Sequence, residues 1–225
     1  MHTPIKLSSL AKALANEEFI FFFFSLVSLF SGKICGAEAL IRWQLPDGSL
    51  LAPGAFIPLA EETGFITEIT QELLPKVLQA LHLLYQEDNQ LCIAFNVSSK
   101  DIANPGLVED LQSYAAQQPM MARNFCLEIT ESAFLPSHPT IFHALQAIHA
   151  AGFPIFLDDF SAGYSTLASI TQLPLTAIKI ALDITQRAPQ TQMDFRLFRH
   201  LVNMAHQLNL NIIAEGVETQ EMHDL

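Results

Sequence analysis

Short apolar segments alternate with longer stretches of helical periodicity along most of the chain. Seven segments rich in β-branched, leucine and aromatic residues predict strands, at residues 19–30, 33–43, 91–97, 125–129, 154–157, 177–180 and 211–214. The intervening segments predict helices, at residues 53–62, 67–86, 107–118, 139–151, 164–170, 193–208 and from 218 onward. Pro75 predicts a kink or a restart within the second helix. This alternation predicts six parallel strands with crossover helices and an additional hairpin strand.

The first strand contains a run of phenylalanines that needs a structural interpretation. The apolar segment 19–30 is shorter than the roughly 20 residues that span a membrane. Glu17 and Glu18 precede it, where a signal peptide carries positive charge. We therefore predict no membrane span, and a buried strand that turns at Ser31 and Gly32 and places its phenylalanines in the core.

No linker or low-complexity segment divides the chain. We predict an N-terminal helix or tail at residues 1–16 and one domain over residues 17–225. The strand and helix pattern is compatible with an eight-stranded α/β barrel or with an open doubly wound sheet.

The composition limits the classes of partner. The 225 residues include 23 acidic and 11 basic side chains, for a net charge of −12. Such a chain gains nothing electrostatically from polymeric nucleic acid or an anionic lipid surface, which excludes them as main partners. The three cysteines have no zinc-ligand spacing and favour reduced thiols in the cytoplasm.

Polar side chains lie in or directly after the predicted strands. They are Glu38, Asn96, Glu128, Glu131, Asp158, Asp159, Lys179 and Glu215. In a parallel barrel these positions converge on one face, and carboxylate and amide oxygens select hard cations such as Mg²⁺, Mn²⁺ or Ca²⁺. The adjacent Asp158 and Asp159 suit two metals and metal-assisted phosphoester hydrolysis. Lys179 could orient the attacking water or neutralise phosphate charge.

Each of these residues also has an ordinary structural explanation. Asp158 and Asp159 could cap the next helix, Asn96 could lie in a turn, and Lys179 could be an edge lysine with its ammonium in solvent. Independent caps have no reason to fall at every strand end, which favours the functional interpretation.

Seven ordered motifs over residues 17–225 resemble EAL domains, the cyclic di-GMP phosphodiesterases of bacterial signalling. They lie at residues 36–43 (GAEALIRW), 56–64 (FIPLAEETG), 96–98 (NVS), 127–132 (LEITES), 157–165 (LDDFSAGYS), 178–180 (IKI) and 214–219 (AEGVET). The resemblance implies a (β/α)₈ barrel of the TIM type with an antiparallel first strand. It also implies hydrolysis of cyclic di-GMP to linear pGpG with one or two Mg²⁺ or Mn²⁺ ions, a cytoplasmic location and a possible homodimer.

The resemblance also assigns roles position by position. It implies metal ligands at Glu38, Asn96, Glu128, Asp158, Asp159 and Glu215. It places Lys179 near the hydrolytic water and Arg42 on a substrate phosphate. It makes Glu131 the anchor of the loop that follows Asp159.

Four departures from the family pattern matter. Residues 22–25 read FFFS where the family has Tyr-Tyr-Gln-Pro, so Phe24 replaces an amide near the substrate. Ala181 replaces an aspartate and Ser161 a glycine, and the last strand and helix of the family pattern lie beyond Leu225. The expected barrel is therefore incomplete at its C-terminus. The alternative function is an impaired EAL domain that acts as a cyclic di-GMP receptor or a protein-interaction module.

Overall fold

The protein, described here as a computed structural model over residues 5–130, 139–161 and 170–225, divides into two compact units. The first unit spans Met1–Phe125 and the second Cys126–Leu225. No helix among the described residues is long and apolar enough to cross a membrane.

In the first unit, an antiparallel hairpin is followed by helices and a parallel strand. Its strands are β1 (Phe19–Val27), β2 (Ile34–Gln44), β3 (Leu50–Leu51) and β4 (Cys92–Asn96). Its helices are α1 (Leu7–Ala15), α2 (Ile57–Thr63), α3 (Ile66–Glu87), α4 (Ser99–Ala103), α5 (Pro105–Gln117) and α6 (Pro119–Ala122). β2 pairs with β1 and β3 in antiparallel fashion and with β4 in parallel fashion.

The core of the first unit is built around three aromatic rings. Phe19 of β1, Trp43 of β2 and Phe56 pack with ring centres 5.4 to 5.8 Å apart. Helices α1, α2 and α3 cover them with buried side chains such as Leu10 and Leu73. Because paired residues share a face of the sheet, this packing orients β1 and β2 and leaves Glu38 and Arg42 on the other face.

The prediction that the phenylalanine run lies in the core holds only at its start. Phe19 is 3% exposed, whereas Phe22, Phe23 and Phe24 are 40%, 46% and 52% exposed. The prediction is wrong for these three rings, because the helices that cover the start of β1 do not bury its later residues.

The second unit contains parallel strands and their crossover helices. Its strands are β5 (Phe125–Thr130, from Cys126 onward), β6 (Ile155–Phe160), β7 (Ala177–Ile180) and β8 (Asn211–Ala214). The helices are α7 (Pro139–Ala150), α8 (Leu182–Arg187), α9 (Gln192–Gln207) and α10 (Gln220–His223). All three strand pairs, β5–β6, β6–β7 and β7–β8, are parallel. The near-continuous apolar sequence of these strands fits a sheet that is covered on both faces.

The predicted elements and the observed ones differ in informative places. Helix α3 continues through Pro75, since Leu73, Leu74 and Val77 are buried and tertiary packing outweighs the lost hydrogen bond. The predicted helix 53–62 is a 3₁₀ turn, Pro53–Ala55, followed by α2. Strand β3 and helices α4, α6 and α8 were not predicted, because segments this short carry too few residues for a periodic signal. Most of the predicted helix 164–170 lies outside the described residues.

Candidate functional site

A β-bulge lies in β6 at two adjacent aspartates. Leu157 is opposite Ile178 of β7 and Phe160 is opposite Ile180, so β6 has one extra residue in this interval. Asp159 has φ 53°, in the left-handed region that aspartate tolerates better than most residues. A regular strand would point Asp158 and Asp159 to opposite faces, and a bulge re-aims such side chains. The prediction that both residues follow the strand is therefore wrong: they lie within it.

Lys179 of β7 is the centre of a buried charge cluster, which excludes its interpretation as a solvent-exposed edge lysine. Its Nζ lies 2.9 Å from Asp158 Oδ1, 2.9 Å from Glu215 Oε1 and 3.3 Å from Glu128 Oε1. Lys179 is 1% exposed and Glu128 is fully buried. A charged lysine is rarely found at this depth without partners. These three carboxylates give Lys179 the partners that its burial requires.

The charge balance of this cluster is compatible with the binding of a further cation. Three carboxylates face one ammonium group, so negative charge is in excess when all are ionised. Asp158, Asp159 and Glu215 each offer a carboxylate oxygen, and these oxygens lie within 4.8 Å of one another. An all-oxygen donor set fits a hard divalent cation such as Mg²⁺ or Mn²⁺. The residues present therefore could hold a metal ion.

Gly216 determines the backbone after β8 and was not singled out from the sequence. It has φ +67°, and a Cβ atom there would lie 2.2 Å from Leu182 Cδ1. The amide of the preceding Glu215 donates to Ile180 O at 3.3 Å. A glycine directly after a strand-ending acid is the sequence signal for such a turn. Gly216 thus allows the chain to turn directly after Glu215.

In the first unit, Glu38 and Asn96 form a separate polar pair. Asn96 Nδ2 donates to Glu38 Oε1 at 2.9 Å, from the end of β4. The close approach of β2 and β4 depends on Gly36, where a Cβ atom would lie 2.6 Å from Cys92 O. Glu38 is half-buried and Asn96 is exposed.

Arg42 lies on the same face of the hairpin as Glu38. The β1–β2 register places Glu38 opposite Phe24 and Arg42 opposite Ile20, and alternate residues of a strand share a face. The Arg42 guanidinium lies against the rings of Phe22 and Phe24. The family resemblance singled out Arg42 but gave no sign of these two contacts.

Eight of the nine predicted site residues lie among the described residues. Glu38, Asn96 and Arg42 share one surface of the first unit. Glu128, Asp158, Asp159, Lys179 and Glu215 are brought together in the second. Glu131 lies outside the described residues. The roles assigned to all nine stay predictions.

Comparison with known proteins gives a consistent family. The profile of the EAL domain matches residues 7–225. The chain is 32% identical over 216 residues to the probable cyclic di-GMP phosphodiesterase PdeG of Escherichia coli (strain K12), covering 96% of this chain and 43% of PdeG. It is 31% identical over 215 residues to the cyclic di-GMP phosphodiesterase NbdA of Pseudomonas aeruginosa, covering 94% of this chain and 27% of NbdA. The chain thus spans less than half the length of these curated relatives.

A solved structure supports the same assignment. The PaMucR phosphodiesterase in complex with c-di-GMP superimposes with a TM-score of 0.86 and 31% sequence identity, covering 97% of this chain and 89% of that one. The predicted α/β fold of the EAL type, with an antiparallel first strand, is confirmed by this likeness and by the β1–β2 register.

Proposed function

The chain belongs to the EAL domain family, and from that premise we propose that it hydrolyses cyclic di-GMP to linear pGpG with Mg²⁺ or Mn²⁺. The observation that carries the proposal is the buried Lys179 cluster beside the bulge at Asp158 and Asp159. A cluster with excess negative charge that is buried in a sheet costs stability unless a cation balances it. Phosphoester hydrolysis is a reaction that uses such a cation.

The resemblance implies which oxygens would hold the cation. The proposed ligands are Glu38, Asn96, Glu128, Asp158, Asp159 and Glu215. A divalent cation supplies charge neutralisation at a phosphate and a water that is easier to deprotonate. In the net reaction one water molecule adds, one P–O ester bond breaks, and the ribose hydroxyl leaves with a proton.

The remaining proposed site residues position other groups and bind the phosphate. Lys179 holds the carboxylates of Asp158 and Glu215 in place, and in this proposal its ammonium orients the attacking water. Arg42 binds a phosphate oxygen, for which the planar guanidinium is suited. Glu131 anchors the loop after Asp159 in this proposal, as the resemblance implies.

The test is incubation of the purified chain with cyclic di-GMP and Mn²⁺, with the products separated by chromatography. We expect pGpG that disappears with EDTA and in Glu38→Ala. Glu68→Ala, which removes an exposed carboxylate on α3, is the matched control and is expected to keep activity. Full turnover in Glu38→Ala would contradict its assignment as a ligand.

A receptor without turnover is the second candidate. Phe24 is 52% exposed at the position where the family has an amide near the substrate. A ring cannot replace the hydrogen bonds of that amide. Calorimetric binding of cyclic di-GMP without formation of pGpG would favour this function, and the absence of both binding and product would reject both functions.

Two further properties come from the resemblance. We propose that the chain acts in the bacterial cytoplasm and that it forms a homodimer. Light scattering after size-exclusion chromatography measures the dimer directly, and a monomer at all concentrations would contradict it.

A further inference from the structure

Arg42 of β2 is flanked by two phenylalanine rings of the neighbouring strand. Its guanidinium carbon lies 5.6 Å from the centre of the Phe22 ring and 5.9 Å from that of Phe24. Both distances are within the roughly 6 Å range of cation–π attraction. Arg42 Nη1 also donates to Ile41 O at 2.8 Å. Three contacts thus restrain one side chain at the surface of the hairpin.

The contacts cross diagonally from β2 to β1 and do not join residues that are directly opposite each other. In the register, Arg42 is opposite Ile20 and Phe24 is opposite Glu38. Phe22, Phe24, Arg42 and Glu38 share one face of the hairpin, because alternate residues of a strand point the same way. The restrained guanidinium therefore lies on the face that carries a proposed metal ligand.

The two rings are not used to fill the core, since they are 40% and 52% exposed. A ring face attracts a guanidinium without accepting its N–H hydrogen bonds, so those donors stay usable for a ligand. A carboxylate in the same place would take the donors and cancel the charge. Aromatic neighbours thus suit an arginine that must remain ready for an anion.

We propose that Phe22 and Phe24 are positioning residues, which hold the Arg42 guanidinium ready for a phosphate of the nucleotide. The phosphate part of this inference rests on the proposed function. A side chain that is already restrained loses less conformational freedom when the ligand binds, so the rings raise affinity without touching the reacting atoms. In this chain Phe24 acts through Arg42, in place of the direct contact that an amide would make.

The contact is tested without any ligand, by the NMR signal of the Arg42 Nε–H group, assigned by its loss in Arg42→Lys. We expect ring currents to displace this signal in the wild-type chain. Phe22→Leu and Phe24→Leu should each move it toward the value of a free arginine, whereas Phe24→Tyr keeps it in place. Phe23→Leu is the matched control, because Phe23 lies on the opposite face, where it contacts Phe21.

The consequence for the ligand is measured as the dissociation constant of cyclic di-GMP in EDTA and as KM with Mn²⁺. From the strength of an exposed cation–π contact we expect a rise of roughly 2- to 5-fold for each leucine variant, with kcat changed by less than about twofold. Phe23→Leu should match the wild type in both quantities.

The outcomes separate the two levels of the inference. An Arg42 signal that stays in place in both leucine variants overturns the contact. A signal that moves while KM and the dissociation constant stay the same overturns the positioning role. A wild-type chain that neither binds nor hydrolyses cyclic di-GMP overturns the proposed function and the phosphate part, and the NMR signal still decides the contact.

Discussion

Among the described residues, the most deeply buried carboxylates of the two units, Asp101 and Glu128, are stabilised in different ways. Asp101 of the first unit is 2% exposed and forms a capping box with Ser98, whose backbone N–H donates to Asp101 at 2.8 Å. Glu128 of the second unit is fully buried and faces the ammonium of Lys179 at 3.3 Å. The carboxylate of Asp101 is stabilised by neutral hydrogen-bond donors, and that of Glu128 by a buried cation.

The difference separates a structural acid from a site acid. Burial raises the pKa of Asp101, and hydrogen bonds from Ser98 and Thr70 lower it by less. Asp101 caps the start of α4. The Lys179 cluster has several carboxylates around one ammonium, an excess of negative charge that a bound cation would offset. Burial of an acid is therefore not by itself a sign of a site: the surrounding charges decide.

The largest effect is expected when the buried cation is removed. Lys179→Met should lower the free energy of unfolding by about 3–5 kcal/mol, because it leaves buried carboxylates without their partner. Mn²⁺ should restore part of this loss by binding the folded chain. Urea unfolding with and without Mn²⁺ measures both effects. Lys76→Met breaks an exposed pair with Glu72 and should cost at most about 1 kcal/mol. Equal losses in the two variants would contradict the comparison.

The next effect concerns the backbone that presents Glu215 to Lys179. Gly216→Ala forces a side chain into a positive φ and against Leu182, which should cost about 1–2 kcal/mol for φ alone, with the contact adding to it. Gly64→Ala isolates the φ cost, because its Cβ atom would meet nothing within 4 Å. When Leu182→Ala is added, the loss of unfolding free energy caused by Gly216→Ala should fall to the loss caused by Gly64→Ala. Thermal or urea unfolding measures these losses. No recovery in the double variant would reject the steric explanation.

A smaller effect is expected when the carboxylate at the bulge is removed and its backbone is kept. Asp159→Asn and Asp159→Gly both tolerate φ 53°, so the free energy of unfolding should stay within about 1 kcal/mol of the wild type. Both should weaken Mn²⁺ binding at least about tenfold, as removal of a metal-site group does. Calorimetric titration with Mn²⁺ measures this, with the exposed Asp110→Asn as control. Unchanged Mn²⁺ affinity would remove Asp159 from the proposed ligands.

The smallest effect is the pH dependence of Asp101. Since its pKa is raised in the folded chain, its contribution to stability is present at low pH. That contribution is lost as pH rises from the unfolded value of about 3.9 through the folded-state pKa. In urea unfolding between about pH 4 and pH 8, the advantage of the wild type over Asp101→Asn should therefore shrink as pH rises. An advantage that grows with pH would mean that Asp101 is stabilised as an anion, like the acids around Lys179.

Individual elements show where prediction from the sequence succeeds and where it fails. Strands β7 and β8 lie where the apolar segments predict them, because a short apolar run between turn residues is a local signal. The acids and the lysine of the second unit were found for the same reason. Pro75 was misleading, since a buried helix face outweighs one lost hydrogen bond. The exposure of Phe22–Phe24 was missed, because it depends on what covers the hairpin and not on the hairpin itself.

The amino-acid sequence by itself determined the order of the longer strands and helices, the acids and the lysine that lie in or next to the strands, and the family. These follow from local patterns that neighbouring residues carry. Only the tertiary structure decided that Lys179 contacts Glu128, Asp158 and Glu215, that β6 bulges at Asp159, and that Phe22 and Phe24 flank Arg42. The physical reason is that burial, register and charge balance depend on which residues a neighbouring strand brings alongside, and that pairing joins segments far apart in the chain.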